Sequence, residues 1–255
     1  MKLAQKVGGQ KKICDLSKQN AETYADHSAT PEIVYYLNMQ NQFFKTIFKQ
    51  RILAAVNLNA TAKALAVAEV FMKADLTTFE IPLRNKEALN CIKEIKRKYP
   101  ELNIGAGTIL TTEQLKEAMD AGAGYALSPG FNLKIAQEAQ KLNFPFIPGV
   151  MTPSDIEMAY ENGYDTLKVF PIAAIGGLNF LKAMDGPYGH LNLKYIPMGG
   201  INAANVADYL NYPNVLAVGG SWLATEQMIT DVNFPLMEQH IQQALAISQK
   251  SIDLN

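Results

Sequence analysis

A lysine and a glutamate occupy positions that strand alternation turns away from the apolar face of their strands. In TLKVF, Leu167 and Val169 take one face, which puts Thr166, Lys168 and Phe170 on the other. In TTFEIPL, Phe79, Ile81 and Leu83 share a face, and Thr78 and Glu80 point the opposite way. Placing such charges inside a closed sheet is costly unless they are paired or solvated. Two readings follow. One is a buried ion pair that ties two strands together. The other is chemistry: a desolvated lysine amine forms an imine with a ketone, and a carboxylate beside it moves protons. Spacing alone does not choose between them. With a 2-keto acid as substrate, the imine is an electron sink, and the bond beyond C3 breaks with Glu80 as base. The substrate carboxylate then needs donors. Arg84, just past the glutamate strand, and Thr108, which closes the GAGT turn, are available.

The elements that must hold these residues form a rhythm. Short β-prone runs lie at 52–57, 77–83, 102–107, 124–128, 144–148, 165–170, 193–198 and 215–220. Between them are stretches with apolar residues at helical spacing, such as KEALNCIKEIKRKY and TPSDIEMAYENG, with Thr111 and Ser154 as expected caps. Strands alternating with helices in this way predict a (β/α)₈ TIM barrel. A doubly wound open sheet would carry a Gly-rich phosphate loop after its first strand, and ILAAVNLNATAKAL has none. Gly- or Pro-containing turns follow several strand ends, at Gly105 to Thr108, Ser128 to Gly130, Gly149, Gly199-Gly200 and Gly219-Gly220. Those ends are where such barrels build their active sites. Residues 1–38 lack this rhythm and are expected to form a loosely packed N-terminal extension, with residues 39–255 as a single barrel domain.

Composition narrows the function classes. The 255 residues carry a formal net charge of −1 and no Lys/Arg block interleaved with aromatics, so nucleic acid is not an expected partner. Cys14 and Cys91 lie far apart, and His27, His190 and His240 have no metal-ligand spacing; no disulfide framework, metal or cofactor is expected. The segment MKLAQKVGGQKK leads into polar residues rather than an apolar core, and no stretch reaches membrane-spanning length. A reduced, cytoplasmic, soluble protein without a membrane partner is expected.

The motifs FEIPLRN, NIGAGTIL, ALSPG, IPGVMTPSDI, LKVFP, PMGGI and VGGSWL, in this order, resemble the 2-keto-3-deoxy-6-phosphogluconate (KDPG) and 4-hydroxy-2-oxoglutarate (KHG) aldolases. The likeness runs from about residue 52 to about 224 and touches all eight expected strands. It implies a class I aldolase that releases pyruvate from a 2-keto-3-deoxy-6-phospho sugar acid. By resemblance, Lys168 is the Schiff-base lysine and Glu80 the general acid/base. Arg84 and Thr108 would bind the pyruvyl carboxylate, and Pro129 and Phe170 would wall the pyruvate pocket. Gly199, Gly200, Gly220 and Ser221 would hold the distal phosphate through backbone N–H groups and a hydroxyl. The resemblance further implies a homotrimer.

Two positions depart from the family's pattern. Pro197-Met198-Gly199-Gly200 replaces the usual Pro-Thr-Gly-Gly, and Asn57 stands where many members have an arginine that helps with the phosphate. The threonine is associated with the hydroxyl next to the cleaved bond, so the epimer and the phosphate stay open. Alternatives with the same mechanism are the galactonate epimer, 4-hydroxy-2-oxoglutarate, or oxaloacetate decarboxylation. A non-catalytic barrel that binds sugar phosphates is a reading of a different class. Such a binder has no need of an interior lysine.

Overall fold

Most of the expected strand runs fold as short parallel strands followed by helices, in a computed structural model that describes residues 31–253. A first helix, α1 (Pro31–Ile47), leads into β1 (Ile52–Ala55), β2 (Thr78–Pro82), β3 (Asn103–Gly107) and β4 (Tyr125–Leu127). Then come β5 (Phe146–Ile147), β6 (Gly149–Val150), β7 (Thr166–Val169), β8 (Lys194–Pro197) and β9 (Val218–Gly220). The helices between them include Thr61–Lys73, Ala88–Lys98, Thr112–Asp120, Leu133–Lys141, Pro153–Glu161 and Leu178–Tyr188, and a long helix, Phe234–Asp253, follows β9. No helix among the described residues is long and apolar enough to cross a membrane.

The strands make a parallel, curled α/β arrangement in two hydrogen-bonded sheets, ordered β5-β4-β3-β2-β1-β9 and β6-β7-β8. The sequence predicts eight uninterrupted strands, and that expectation needs correction. Pro148, the last residue of the fifth run, separates β5 within that run from an unexpected β6 just beyond it, because proline has no N–H for the ladder. β5 therefore pairs with β4, and β6 with β7. On the other side, isolated parallel bridges join Tyr195 to Val215 and Met198 to Gly219, next to β8 and β9.

Strand parity divides the core as the alternation predicts. Phe79, Ile81, Leu167 and Val169 belong to the large cluster that includes the buried helix faces. Leu53, Tyr125, Leu127, Ile147, Ile196, Met198 and Ala217 form a second cluster on the inner face of the strands. Phe44, Ile47 and Phe48, from the end of α1 and the turn after it, complete that inner cluster. Each such aromatic or aliphatic side chain contributes about 1.5–3 kcal/mol on burial.

Polar contacts fix α1 across the N-terminal ends of the strands. Tyr36 Oη donates to Phe144 O at 2.8 Å, Asn41 Nδ2 to Asp165 Oδ2 at 2.7 Å, and Thr78 Oγ1 to Ile47 O at 3.0 Å. The boundary expected at residue 38 falls inside this helix, and Tyr36 and Leu37, on its extension side, are buried. The rest of the expected loose segment, residues 1–30, lies outside the described residues. Helix caps point the other ends of the helices toward the opposite rim. Thr111 caps its helix by accepting from Gln114 N, as expected. Ser154 does not cap its helix. Thr152 does, in a capping box with Asp155 and with Pro153 in the first turn.

Candidate active site

Lys168 and Glu80 meet inside the curled sheet. Lys168 Nζ lies 3.4 Å from Glu80 Oε1, and the two side chains are only 7% and 3% exposed. They come from β7 and β2, strands on different sheets, so only the curl brings them together. Lys168 Nζ also stands 5.5 Å from the centre of the Phe170 ring, two residues along the same face. Glu80 Oε2 is buried and has no hydrogen-bond partner among the described residues. A buried carboxylate oxygen left unpaired is expensive, and such atoms call for an explanation in the chemistry of the site.

Missing side chains on β3 make room for this pair. Gly105 and Gly107 point to the inner face, and Gly105 is in register with Glu80. A Cβ on Gly107 would lie 3.0 Å from Glu80 Oε2, and one on Gly105 would lie 2.4 Å from the ring of Tyr125. Tyr125 is wholly buried in the inner cluster, its hydroxyl 3.4 Å from Phe79 O. Burial, with the nearby Glu80 charge adding, pushes its phenol well above the ordinary tyrosine range. Tyr125 is not among the residues that sequence reasoning places at the site, although its inward parity on β4 opposite Gly105 is a readable signal.

The remaining expected residues lie on the rim formed by the C-terminal ends of the strands. Arg84 Nε donates to Thr108 Oγ1 at 3.2 Å, so these two donors are adjacent, with Thr108 at φ +59 just beyond β3. Pro129 lies in a loop held by Ser128 Oγ, which donates to Gly130 O at 2.7 Å and accepts from Gly149 N at 3.3 Å. Gly149 is a glycine of necessity: a Cβ there would stand 2.3 Å from the Pro129 carbonyl carbon. Gly199 and Gly200 both have positive φ, +90 and +87, and run against Phe170, Pro171 and Ala173. Gly220 backs onto the Trp222 ring. Ser221 is exposed, and the cap of the next helix (Glu226–Thr230) is Thr225 instead.

The two departing positions have clear environments. Asn57 Nδ2 donates to Glu226 Oε1, and its Oδ1 accepts from Asn85 Nδ2 at 3.4 Å. Met198 faces inward, as parity predicts, but it is 3% exposed rather than open to a cleft. It fills the space that Gly219 leaves, where a Cβ would lie 2.6 Å from Met198 Cε. No group of three or more His, Cys, Asp or Glu suited to a metal occurs among the described residues.

An amine and a carboxylate in an apolar chamber, with a cation and a hydroxyl at its mouth, match one family in sequence as well. The sequence profile described as KDPG and KHG aldolase matches residues 44–240. The chain belongs to the KDPG and KHG aldolase family. It is similar to the 2-dehydro-3-deoxy-phosphogluconate aldolase of Haemophilus influenzae, 35% identical over 206 residues that cover 81% of this chain and 96% of that one. The KHG/KDPG aldolase of Escherichia coli is 37% identical over 160 residues, 63% of this chain and 74% of that protein. Among solved structures, the KDPG aldolase of Legionella pneumophila, with pyruvate captured as a covalent carbinolamine, superposes with a TM-score of 0.76 at 33% identity. That match covers 79% of this chain and 97% of the other. The segment shared with the KDPG and KHG aldolase family begins inside α1, so the aromatic end of that helix lies within the family domain.

Proposed function

We propose that this chain is a Schiff-base aldolase that cleaves a 2-keto-3-deoxy-6-phospho sugar acid of the KDPG type to pyruvate and glyceraldehyde 3-phosphate. The observation that carries this reading is the Lys168–Glu80 pair at 3.4 Å, with the second Glu80 oxygen buried and unpartnered. A lysine engages one carboxylate oxygen at a time, so the second oxygen of Glu80 stays available to a substrate hydroxyl. A proton shuttle needs one free.

In this reading, Lys168 Nζ attacks the C2 carbonyl, and water leaves as the imine forms. Glu80 takes the proton of the C4 hydroxyl, the C3–C4 bond breaks, and its electrons pass through the imine to give an enamine and an aldehyde. Protonation at C3 and hydrolysis release pyruvate and free Lys168. Arg84 and Thr108, already hydrogen-bonded to each other, bind the pyruvyl carboxylate. Pro129 and Phe170 wall the pyruvate pocket. Gly199, Gly200, Gly220 and Ser221 offer backbone N–H groups and a hydroxyl to the distal phosphate. Asn57, held by Glu226 and Asn85, supplies no cation there. The test is borohydride reduction in the presence of pyruvate, which adds one pyruvyl mass to the peptide containing LKVFP. An unmodified Lys168 together with turnover abolished by a chelator would overturn the assignment.

Met198 carries the expectation on specificity. A thioether accepts hydrogen bonds weakly, so it cannot read a hydroxyl as threonine does. A site that pairs a substrate hydroxyl can reject the wrong epimer by powers of ten. The wild-type enzyme, with Met198 buried against Gly219, is therefore expected to discriminate weakly between gluconate and galactonate configurations, and Met198→Thr, which shortens that side chain and opens space beside Gly219, to gain preference for the former. Comparing kcat/KM for both epimers decides it. Strong gluconate preference in the unaltered protein sinks the idea.

Three features of architecture belong to the same reading. The Met198–Gly219 bridge and the single residue between β5 and β6 support closure of both sheets into one (β/α)₈ barrel. The expected boundary at residue 38 falls within α1; a chain begun at 31 keeps turnover, and one begun at 39 loses the Tyr36–Phe144 bond and unfolds at lower temperature. Assembly as a homotrimer is carried by the family resemblance alone. Sedimentation at monomer mass would refute that assembly.

A further inference from the structure

The end of the strands opposite the Arg84 rim carries a second cleft. It has a volume of about 480 Å³ and draws cations from three stretches of chain: Lys45 and Lys49 around the end of α1, Arg51 just before β1, and Lys194 at the start of β8. Its apolar wall comes from half-buried Leu216 and from Ile252, 40% exposed, with Phe48 and Val215 buried behind them. No aspartate or glutamate is among the described residues that line it, although the whole chain has 24 acids against 23 bases. The local excess of positive charge is thus a product of the fold and not of composition.

None of these charges is neutralised among the described residues. Lys45, Lys49 and Lys194 enter no ion pair there. Arg51 is half-buried, and its guanidinium is spent on neutral acceptors: Leu210 O at 2.7 Å, Val215 O at 2.9 Å and Ser251 Oγ at 3.2 Å. Burial without a carboxylate lowers its pKa from the ordinary arginine value. Asp165, which precedes β7 beside Lys194, has its carboxylate engaged by Asn41 at 2.7 Å and Thr166 at 3.3 Å. Three long ammonium side chains around one fixed guanidinium, over an apolar wall, suit a ligand with an anionic head and an apolar body. The volume falls in the range of small-molecule sites, roughly 300–1,000 Å³.

We propose that this cleft is a second binding site, separate from the aldolase site, for a small organic anion with an aromatic or aliphatic body. The anion sits between Lys49, Lys194 and Arg51, and the body lies on Leu216 and Ile252. This site does not depend on the chemistry assigned to Lys168, because it lies at the other end of the strands.

The probe is 8-anilinonaphthalene-1-sulfonate, titrated by fluorescence against the full-length protein, with neutral N-phenyl-1-naphthylamine as the uncharged counterpart. Saturable binding of the sulfonate is expected, at least about tenfold tighter than the neutral probe. It should weaken as salt rises from about 0.05 to about 0.5 M. Lys49→Glu/Lys194→Glu should weaken it by at least about tenfold, whereas Arg84→Ala, at the opposite rim, should not. If the double glutamate variant does not fold, Lys49→Gln/Lys194→Gln is read in its place, with thermal melting as the check. Equal affinity for both probes, insensitivity to the Lys49 and Lys194 changes, or loss of binding in the Arg84 variant would each overturn the proposal.

Discussion

Glu80→Gln lowers turnover by about 10²–10⁴-fold, the usual contribution of a positioned general base, while pyruvate is still trapped on Lys168. The two effects separate because the variant keeps everything that forms the imine. Lys168 is untouched, and the Arg84–Thr108 pair that would receive the substrate carboxylate makes no hydrogen bond to the Glu80 carboxylate among the described residues. Glutamine has the shape of the glutamate it replaces and fits the space beside Gly107. It can still accept from Lys168, but it cannot take a proton. Stopped-flow turnover and borohydride trapping on the same preparation make the comparison. Near-wild-type turnover would return Glu80 to the role of ion-pair partner, and loss of trapping in step with turnover would show that it acts in imine formation instead.

Lys168→Met removes turnover and also destabilises the fold by about 3–5 kcal/mol, the cost of leaving one member of a buried pair unpaired. Glu80 is only 3% exposed, with Lys168 as its sole hydrogen-bond partner among the described residues, so no other cation replaces the lost one. The double variant Lys168→Met/Glu80→Gln has no uncompensated charge and recovers most of that stability while remaining inactive. Denaturant midpoints of the two variants measure the difference. Equal stability of the single and double variants would mean that water reaches Glu80 freely, against its 3% exposure.

Much of the aldolase site is legible in the order of residue types along the chain. Apolar residues on one face of TLKVF and FEIPL are enough to turn Lys168 and Glu80 to the other, because the side-chain period of a strand is two. The helices between the strands are legible for the same kind of reason, and so is the Thr111 cap. Residue type also places Arg84 and Thr108 just beyond their strands.

Other properties are decided only in three dimensions. Lys168 and Glu80 are 88 residues apart, and their 3.4 Å contact exists because the sheets curl until β2 and β7 face each other across the interior. The unpaired oxygen of Glu80 follows from what surrounds it, glycine at 107 and the Tyr125 ring backed by Gly105, which no single strand reveals. Pro148 can end β5, but that β5 and β6 on either side of it pair with different sheets is decided by the packing. The aromatic end of α1 completes the inner cluster because the N-terminal ends of the strands leave an apolar opening of the right size. At that same end, Lys45, Lys49, Arg51 and Lys194 surround one cleft in a chain whose charges nearly cancel. Period and residue type fix which way a side chain points; what it meets there depends on chain segments far away in sequence, and only packing brings them together.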